Sequence, residues 1–446
     1  MSNSILIEKG NVIDGKGGKP KPSTAVLIED NIITAIGKSA EKKATAIGKI
    51  RKIDASKCTV MPGLIDAHSH VTFDEPLSTT ELFFHRRPAL SALVAGRNVR
   101  KLLAAGVTSF FDADSIFDVG IDLRDALEAG VVEGPRMTTG GNVLITSVGG
   151  TAGYLLPDEG RRGYAAIVRT PDEIVTEVRR QIKNGVDWIK VHVTGLIPRQ
   201  KQKGEIQAWT FKELKLVCDT AHDLGIPVVG HSRNASGTRD AAKAGFDMIL
   251  HATYMDDDAI EAVVKHKVPI VPTLTFQANL ADWGDQVGAD PFLQELFKEE
   301  IVGSSAAYKK AYKAGVPFLC GTESGFSVVP LGDWHYREME IFVKYLGMTP
   351  MQAITCATSA GAVAMRKEGQ IGVIAKGKLA DVIVVEGDPS KDVCILGEKK
   401  RIKHVFLNGR AIDLKPNLPE RKNISGWRVG QFSNKNVTYE MIHGKK

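Results

Sequence analysis

Apolar and polar positions alternate in short runs over the first fifty-odd residues: ILIEKGNVID, TAVLIEDNIITAIG and KIDASKCTVMPG, broken at Asp-Gly and Asp-Asn. Alternation with such breaks predicts β-strands joined by turns. The chain from about Lys376 reads the same way, in GKLADVIVVEGDPS and KRIKHVFLNGRAI. Two β-rich ends around a different middle predict a small composite β-sandwich, residues 1–57 plus 375–446, packed on a central domain, residues 58–374. In that middle, short apolar runs recur: GLIDAHSH, VTSFFDAD, PRMTTGG, DWIKVHV, IPVVGHS, MILHAT, PIVPTL and VPFLCGTE. Amphipathic helical stretches such as PDEIVTEVRRQIKNG and TFKELKLVCDTAHDLG lie between most of them. Repeated β-then-α units predict a parallel sheet, and eight of them can close as a TIM-like (β/α)8 barrel. The Gly-rich stretch from Asn142 to Gly163 reads as a long loop, a candidate lid.

Composition narrows this picture mainly by exclusion. A chain of 446 residues, 43% hydrophobic and 25% charged, has ordinary globular composition and the length for one barrel plus a smaller domain. The net charge of +6 is spread along the chain, with short basic runs at Lys399–Arg401 and Lys445–Lys446. No basic stripe with interleaved aromatics is present, so no nucleic-acid partner is expected. The N-terminus lacks a basic leader before an apolar core, and no run approaches eighteen apolar residues, so neither secretion nor a membrane partner is expected. Five scattered cysteines (Cys58, Cys218, Cys320, Cys356, Cys394) without a C-x-x-C pair fit reduced thiols in a cytoplasmic protein.

The chemistry concentrates at strand ends. His68 and His70, in DAHSH, are two apart on a strand, so both imidazoles can converge on one ion. Lys190 in WIKVHV, His231 in VVGHS, His251 in ILHAT and Glu323 in CGTE stand at the carboxyl ends of four further strands, where barrel active sites sit. A single strand-end histidine is more often a hydrogen-bonded structural residue. A buried lysine, however, needs a partner, and six such residues on five strands at one barrel end point to divalent metal.

These residues resemble the pattern of the amidohydrolase superfamily, and the likeness runs from the leading strands through VMPGLIDAHSH to GVIAKGKLADVIVVEGDP. His68, His70, Lys190, His231 and His251 match the family's ligand positions one by one. The resemblance implies two zinc ions per chain, with manganese or cobalt as substitutes, and N6-carboxylysine at Lys190 bridging them. It implies hydrolysis of an amide-like C–N bond of a small molecule by metal-activated hydroxide, in a homo-oligomer. The family's Gly-Thr-Asp is replaced by Gly321-Thr322-Glu323, whose carboxylate reaches about 1.5 Å further. Glu323 is thus expected both as a ligand and as the base, beside His251.

Within the superfamily, IKVHVTG, His251-Ala252-Thr253 and LITSVGGTAGYLLPDEG resemble the prolidase-like group and the phenylurea and thiocarbamate hydrolases. Amides, ureas, carbamates and thiocarbamates are therefore the expected substrates, with Xaa-Pro dipeptides or N-acyl amino acids as the alternative. A deaminase fits less well because it needs no carbamate, and a non-catalytic scaffold less well because all five nitrogen-bearing positions are kept. Outside the family's metal pattern, His192 shares a strand face with Lys190 and could hydrogen-bond substrate or carbamate. Arg233 could hold a polar or anionic substrate group, and Tyr254 could donate to the oxyanion.

Overall fold

The computed structural model describes residues 4–77, 87–150, 163–195, 204–415, 418, 433 and 435–444. The chain begins with β1 (Ser4–Val12), β2 (Lys21–Glu29), β3 (Ile32–Ile36), α1 (Lys38–Ile47), β4 (Arg51–Asp54) and β5 (Cys58–Pro62). The strands join the late ones, β17 (Val382–Glu386), β18 (Ile402–Leu407) and β19 (Arg410–Ala411), in one mixed eight-stranded sheet. Its order is β19-β18-β17-β5-β1-β2-β3, with β4 beside β1.

Both faces of this sheet are covered. Ile5, Ile7, Val26 and Ile28 meet Val382 and Val384 in one core, while Leu6, Ala25 and Leu27 pack on Ala40 and Ala44 of α1 in another. That explains why ILI and AVLI read as continuous apolar runs rather than a strict alternation. The helix itself departs from the all-strand reading of the first fifty residues. KSAEKKATAI is rich in the strong helix formers Ala and Lys and is bounded by Gly37 and Gly48, and its two buried alanines supply the cover the sheet needs.

The middle holds β6 (Leu64–Ser69), α2 (Pro88–Ala104), β7 (Val107–Asp112), α3 (Val119–Glu128), β8 (Arg136–Thr139), β9 (Val143–Ile145) and β10 (Ala165–Ile167). There follow α4 (Pro171–Asn184), β11 (Ile189–His192), the short pair β12 (Thr194–Gly195) and β13 (Ile206–Gln207), and α5 (Phe211–His222). Next come β14 (Val228–Ser232), α6 (Ala235–Ala244), β15 (Met248–His251), α7 (Asp257–His266), β16 (Ile270–Val271), α8 (Thr275–Trp283) and α9 (Pro291–Lys313). The helices start where their caps require. Thr170 accepts from Glu173 N–H ahead of Pro171 in α4, Gly185 closes that helix at φ 96°, and Thr210 with Glu213 forms a capping box on α5.

The strands pair in parallel as β6-β7-β8 and as β9-β11-β14-β15-β16, with β10 beside β9. The N–H groups of Asp187 and Trp188 donate to Thr139 O at 3.1 and 3.2 Å, linking β8 to the start of β11. The eighth expected strand, VPFLCGTE, forms no regular strand. Its backbone still reaches both neighbours: Leu319 N–H donates to Ile270 O (3.0 Å) and Ala67 N–H to Cys320 O (2.8 Å). Isolated parallel bridges join Phe318 to Ile270 and Ser324 to Ser69, on either side of Glu323, whose φ of 60° lies outside the strand region. The result is a mixed α/β domain of the TIM-barrel type.

The loop expected from Asn142 to Gly163 opens instead with β9, and its residues 151–162, like the basic pair Lys445–Lys446, lie outside the described residues. All five cysteines are unpaired thiols. Among the described residues no helix is long and apolar enough to cross a membrane.

Candidate metal centre

β6 delivers His68, wholly buried, to the carboxyl end of the parallel strands, and β15 delivers His251 beside it, ring centroids 5.3 Å apart. Ligand atoms of His68, His251 and Glu323 lie within 4.8 Å of one another. The hydrogen bonds fix the state of His68. Thr273 Oγ1 gives its one proton to Val271 O (3.1 Å), so at 3.0 Å it accepts from His68 Nδ1–H. His68 Nε2 is then a bare lone pair, and it has no partner in its buried setting. His251 is likewise buried with neither ring nitrogen bonded.

Burial pushes both imidazoles well below their usual pKa, and neighbouring histidines add to the effect. Both are therefore neutral, the form that ligates metal. Burial raises Glu323 to about 8, against the pull of Arg233 and Lys190. Backbone strain accompanies the arrangement: His251 and Glu323 hold φ of 66° and 60°, and Glu323 N–H is pinned to His68 O at 2.7 Å. Non-glycine residues in this region persist where the surroundings over-determine them. Here one determinant is Asp66, whose Oδ1 accepts from His68 N–H and Thr322 N–H (both 3.1 Å) and whose Oδ2 is 2.7 Å from His335 Nδ1.

A second group surrounds Asp114, at the end of the segment that follows β7. Lys190 is fully buried, with Nζ 2.9 Å from Asp114 Oδ1, an ion pair lacking hydrogen-bond alignment. His192 Nε2 sits 3.2 Å from Asp114 Oδ2, and His70 Nδ1 3.5 Å from Asp114 O. Burial alone would raise Asp114, but Lys190 and His192 outweigh it and hold the carboxyl well below its usual range. Burial takes His70 down to about 4. His231 bridges the two groups, its ring 4.4 Å from that of His251 and 4.7 Å from that of His192, with Nε2 2.8 Å from Glu205 Oε2.

The structure thus gathers His68, His251 and Glu323 at one point, and His70, Lys190 and His192 around Asp114. Arg233, expected to face substrate, is engaged by Glu300, and Tyr254 packs its ring against Gly303 of α9, with its hydroxyl raised to about 12 by burial. Asp114, Asp66 and Glu205 went unnoticed in the sequence. Asp112-Ala113-Asp114 did offer a signal, a D-x-D at a strand end, whereas Glu205 carries no motif.

Comparison with known proteins agrees with this geometry. Residues 59–412 match the model of the Amidohydrolase family. The chain belongs to that family. It is 27% identical over 427 residues to ochratoxinase from Aspergillus niger, covering 91% of this chain and 86% of the relative. The crystal structure of that ochratoxinase superposes with a TM-score of 0.80 at 25% identity, covering 92% of this chain and 95% of that one. A Xaa-Pro dipeptidase with bound methionine gives 0.77 at 29%, covering 92% and 100%, and molinate hydrolase 0.75 at 25%, covering 95% and 99%. This amidohydrolase is accordingly an enzyme that uses metal to hydrolyse amide-like C–N bonds.

The side chains of this amidohydrolase suit a divalent cation: unpartnered neutral imidazole nitrogens and a carboxylate converge in a buried place, a borderline N/O donor set. The close approach of the eighth segment to β6 depends on Gly321. A Cβ there would stand 2.5 Å from Val271 Cγ1 and 2.7 Å from His68 Cβ. Gly321→Ala is expected to cost about 1–3 kcal/mol of stability by overpacking and to weaken metal retention by displacing His68. Thermal unfolding and metal analysis of the variant check this; wild-type values in both would contradict it.

Proposed function

We propose that this amidohydrolase cleaves a small amide, urea, carbamate or thiocarbamate, and that the eight parallel segments close as a (β/α)8 barrel around its site. On this reading residues 1–57 plus 375–446 form a separate sandwich-like domain, to whose sheet β5 adds a strand from the central domain. The observation that carries the functional reading is the convergence of His68, His251 and Glu323, with imidazole nitrogens left unpartnered in a buried site. His68, His70, Lys190, His231, His251 and Glu323 would hold two cations, zinc by preference, with manganese or cobalt as substitutes.

When bound, the metal supplies an acidified water at neutral pH and a Lewis acid for the scissile carbonyl. Lys190 would contribute once its ammonium has given up one proton and the free amine has added carbon dioxide with loss of a second, which would turn the partner of Asp114 into an anionic oxygen ligand. Glu323 takes the proton of the attacking water and passes it to the departing nitrogen. The C–N bond breaks as the new C–O bond is kept, and the amine leaves neutral. Tyr254 is assigned to donate to the oxyanion, and His192, fixed by Asp114, orients the Lys190 side of the site.

Strand-end positions with rigid partners support these roles. A cytoplasmic homo-oligomer is the matching expectation, measured by fractionation and light scattering. The direct test is a panel of aryl ureas, thiocarbamates, N-acyl prolines and N-acyl amino acids, offered to metal-loaded and chelator-stripped protein. Turnover of at least one class only with metal is expected; turnover of none by the loaded protein would overturn the reading.

A further inference from the structure

Arg233 begins the loop after β14, two residues beyond His231, and is the guanidinium a substrate carboxylate would need. It is already taken. Its Nη2 lies 2.8 and 2.6 Å from the two carboxylate oxygens of Glu300, on α9, and Gln277 Nε2 donates to Glu300 Oε1 at 3.3 Å. Its Nε has no hydrogen-bond partner and faces a second carboxylate, Glu205 Oε1, at 3.9 Å. Arg233, Glu300 and Glu205 are all buried, so these charges are little screened. Two carboxylates thus face one guanidinium, with Glu323 within reach of the same charge.

The side chains beside these charges form an aromatic cluster. Phe73 stacks on His70 (4.3 Å between centroids), and edge contacts run from Phe73 to Phe326 (5.4 Å), to Phe276 (5.2 Å) and to Phe297 (5.8 Å), over which the Arg233 guanidinium lies at 5.2 Å. A continuous arc of rings therefore leads from the candidate ligands to the neutralised arginine. Aromatic carbon of this kind suits an aryl or alkyl group, and the carboxylates beyond it repel an anion.

We propose that Glu300 sets substrate specificity: by holding Arg233 it makes the site select substrates with an apolar, uncharged group on the amine side of the scissile bond and reject those carrying a carboxylate there. This rests on the hydrolase reading above and divides its substrate classes, favouring neutral amides and ureas over dipeptide-like and N-acyl amino acid substrates.

The probes are N-benzoyl-phenethylamine and N-benzoyl-L-phenylalanine, which differ by one carboxylate. With the metal-loaded wild type, kcat/KM for the neutral probe is expected to exceed that for the acid by at least about tenfold. Glu300→Gln, which keeps the side-chain shape and frees the guanidinium, is expected to shrink that ratio by at least about tenfold, the scale of one charge-assisted hydrogen bond. Arg233→Gln, measured alongside with metal content and unfolding temperature, is expected to change kcat/KM for both probes by the same factor. A wild type that prefers the acid, a ratio unmoved in Glu300→Gln, or a loss in Arg233→Gln confined to the acid would each overturn the proposal. If neither probe turns over, the hydrolase reading is judged by the substrate panel above and not by this pair. The selectivity is then read from calorimetric binding of the same pair to wild type and Glu300→Gln, where an unchanged ratio overturns it.

Discussion

Lys190→Ala is expected to lose metal and activity together. Lys190 is fully buried, and it is the strongest of the charges that hold Asp114, 2.9 Å from its Nζ, well below the usual carboxylate range. Removing it deletes the anionic ligand that carboxylation would create and leaves Asp114 without its cation. Loss of Lewis-acid assistance amounts to several kcal/mol at the transition state, so kcat/KM should fall by roughly a thousandfold or more. Short carboxylic acids added to the variant should restore part of the rate by occupying the vacated space as an oxygen ligand. A purely structural role would lower the unfolding temperature without any such rescue. Full metal content and rate in Lys190→Ala, checked by elemental analysis beside kinetics, would remove the carbamate from the mechanism.

Glu323→Gln is expected to keep the fold and most of the metal while lowering kcat by at least about a hundredfold, the scale of lost acid–base catalysis. Unchanged kcat would exclude the base role. The pH dependence has a definite sign. The ligand imidazoles are neutral well below pH 7, so their protons do not compete with metal there. Glu323 in the metal-free site titrates near 8 because burial disfavours its charge, so below that pH a proton must leave before it can ligate. Glu323 should therefore add about tenfold in metal affinity per pH unit up to about 8 and nothing above it, on top of the protons that Lys190 gives up on carboxylation. In Glu323→Gln that part of the slope should disappear. Glu323→Asp separates reach from chemistry: the shorter side chain has to span the gap from a backbone already held at φ 60°. A large loss of kcat is expected, because misplacement on the ångström scale can cost about a hundredfold.

The candidate ligand residues were legible in the sequence because a β-strand fixes them geometrically. His231 and His251 each end an apolar run, Lys190 and His192 stand two apart within one, and the period of two tells which face each shares. Glu323 was legible by type but not by conformation. Its left-handed φ goes with hydrogen bonds to β6 that no local pattern encodes. Arg233 shows the same limit: its partner Glu300 lies 67 residues away on a helix whose exposed and buried positions gave no hint of the pair. Asp114 was half visible, since D-x-D at a strand end marks a shared face, but its hold on Lys190 depends on how β7 and β11 sit around β8. The helix α1 was missed because short strands and short Ala/Lys helices look alike when only alternation is weighed.

The most direct measurement is the metal content of the purified chain by elemental mass spectrometry, paired with C–N hydrolysis before and after removal of metal by a chelator. The expected result is close to two divalent cations per chain, hydrolysis abolished on stripping, and recovery in proportion to zinc, manganese or cobalt returned. Undiminished hydrolysis by protein holding less than roughly one-tenth of a metal ion per chain would contradict it.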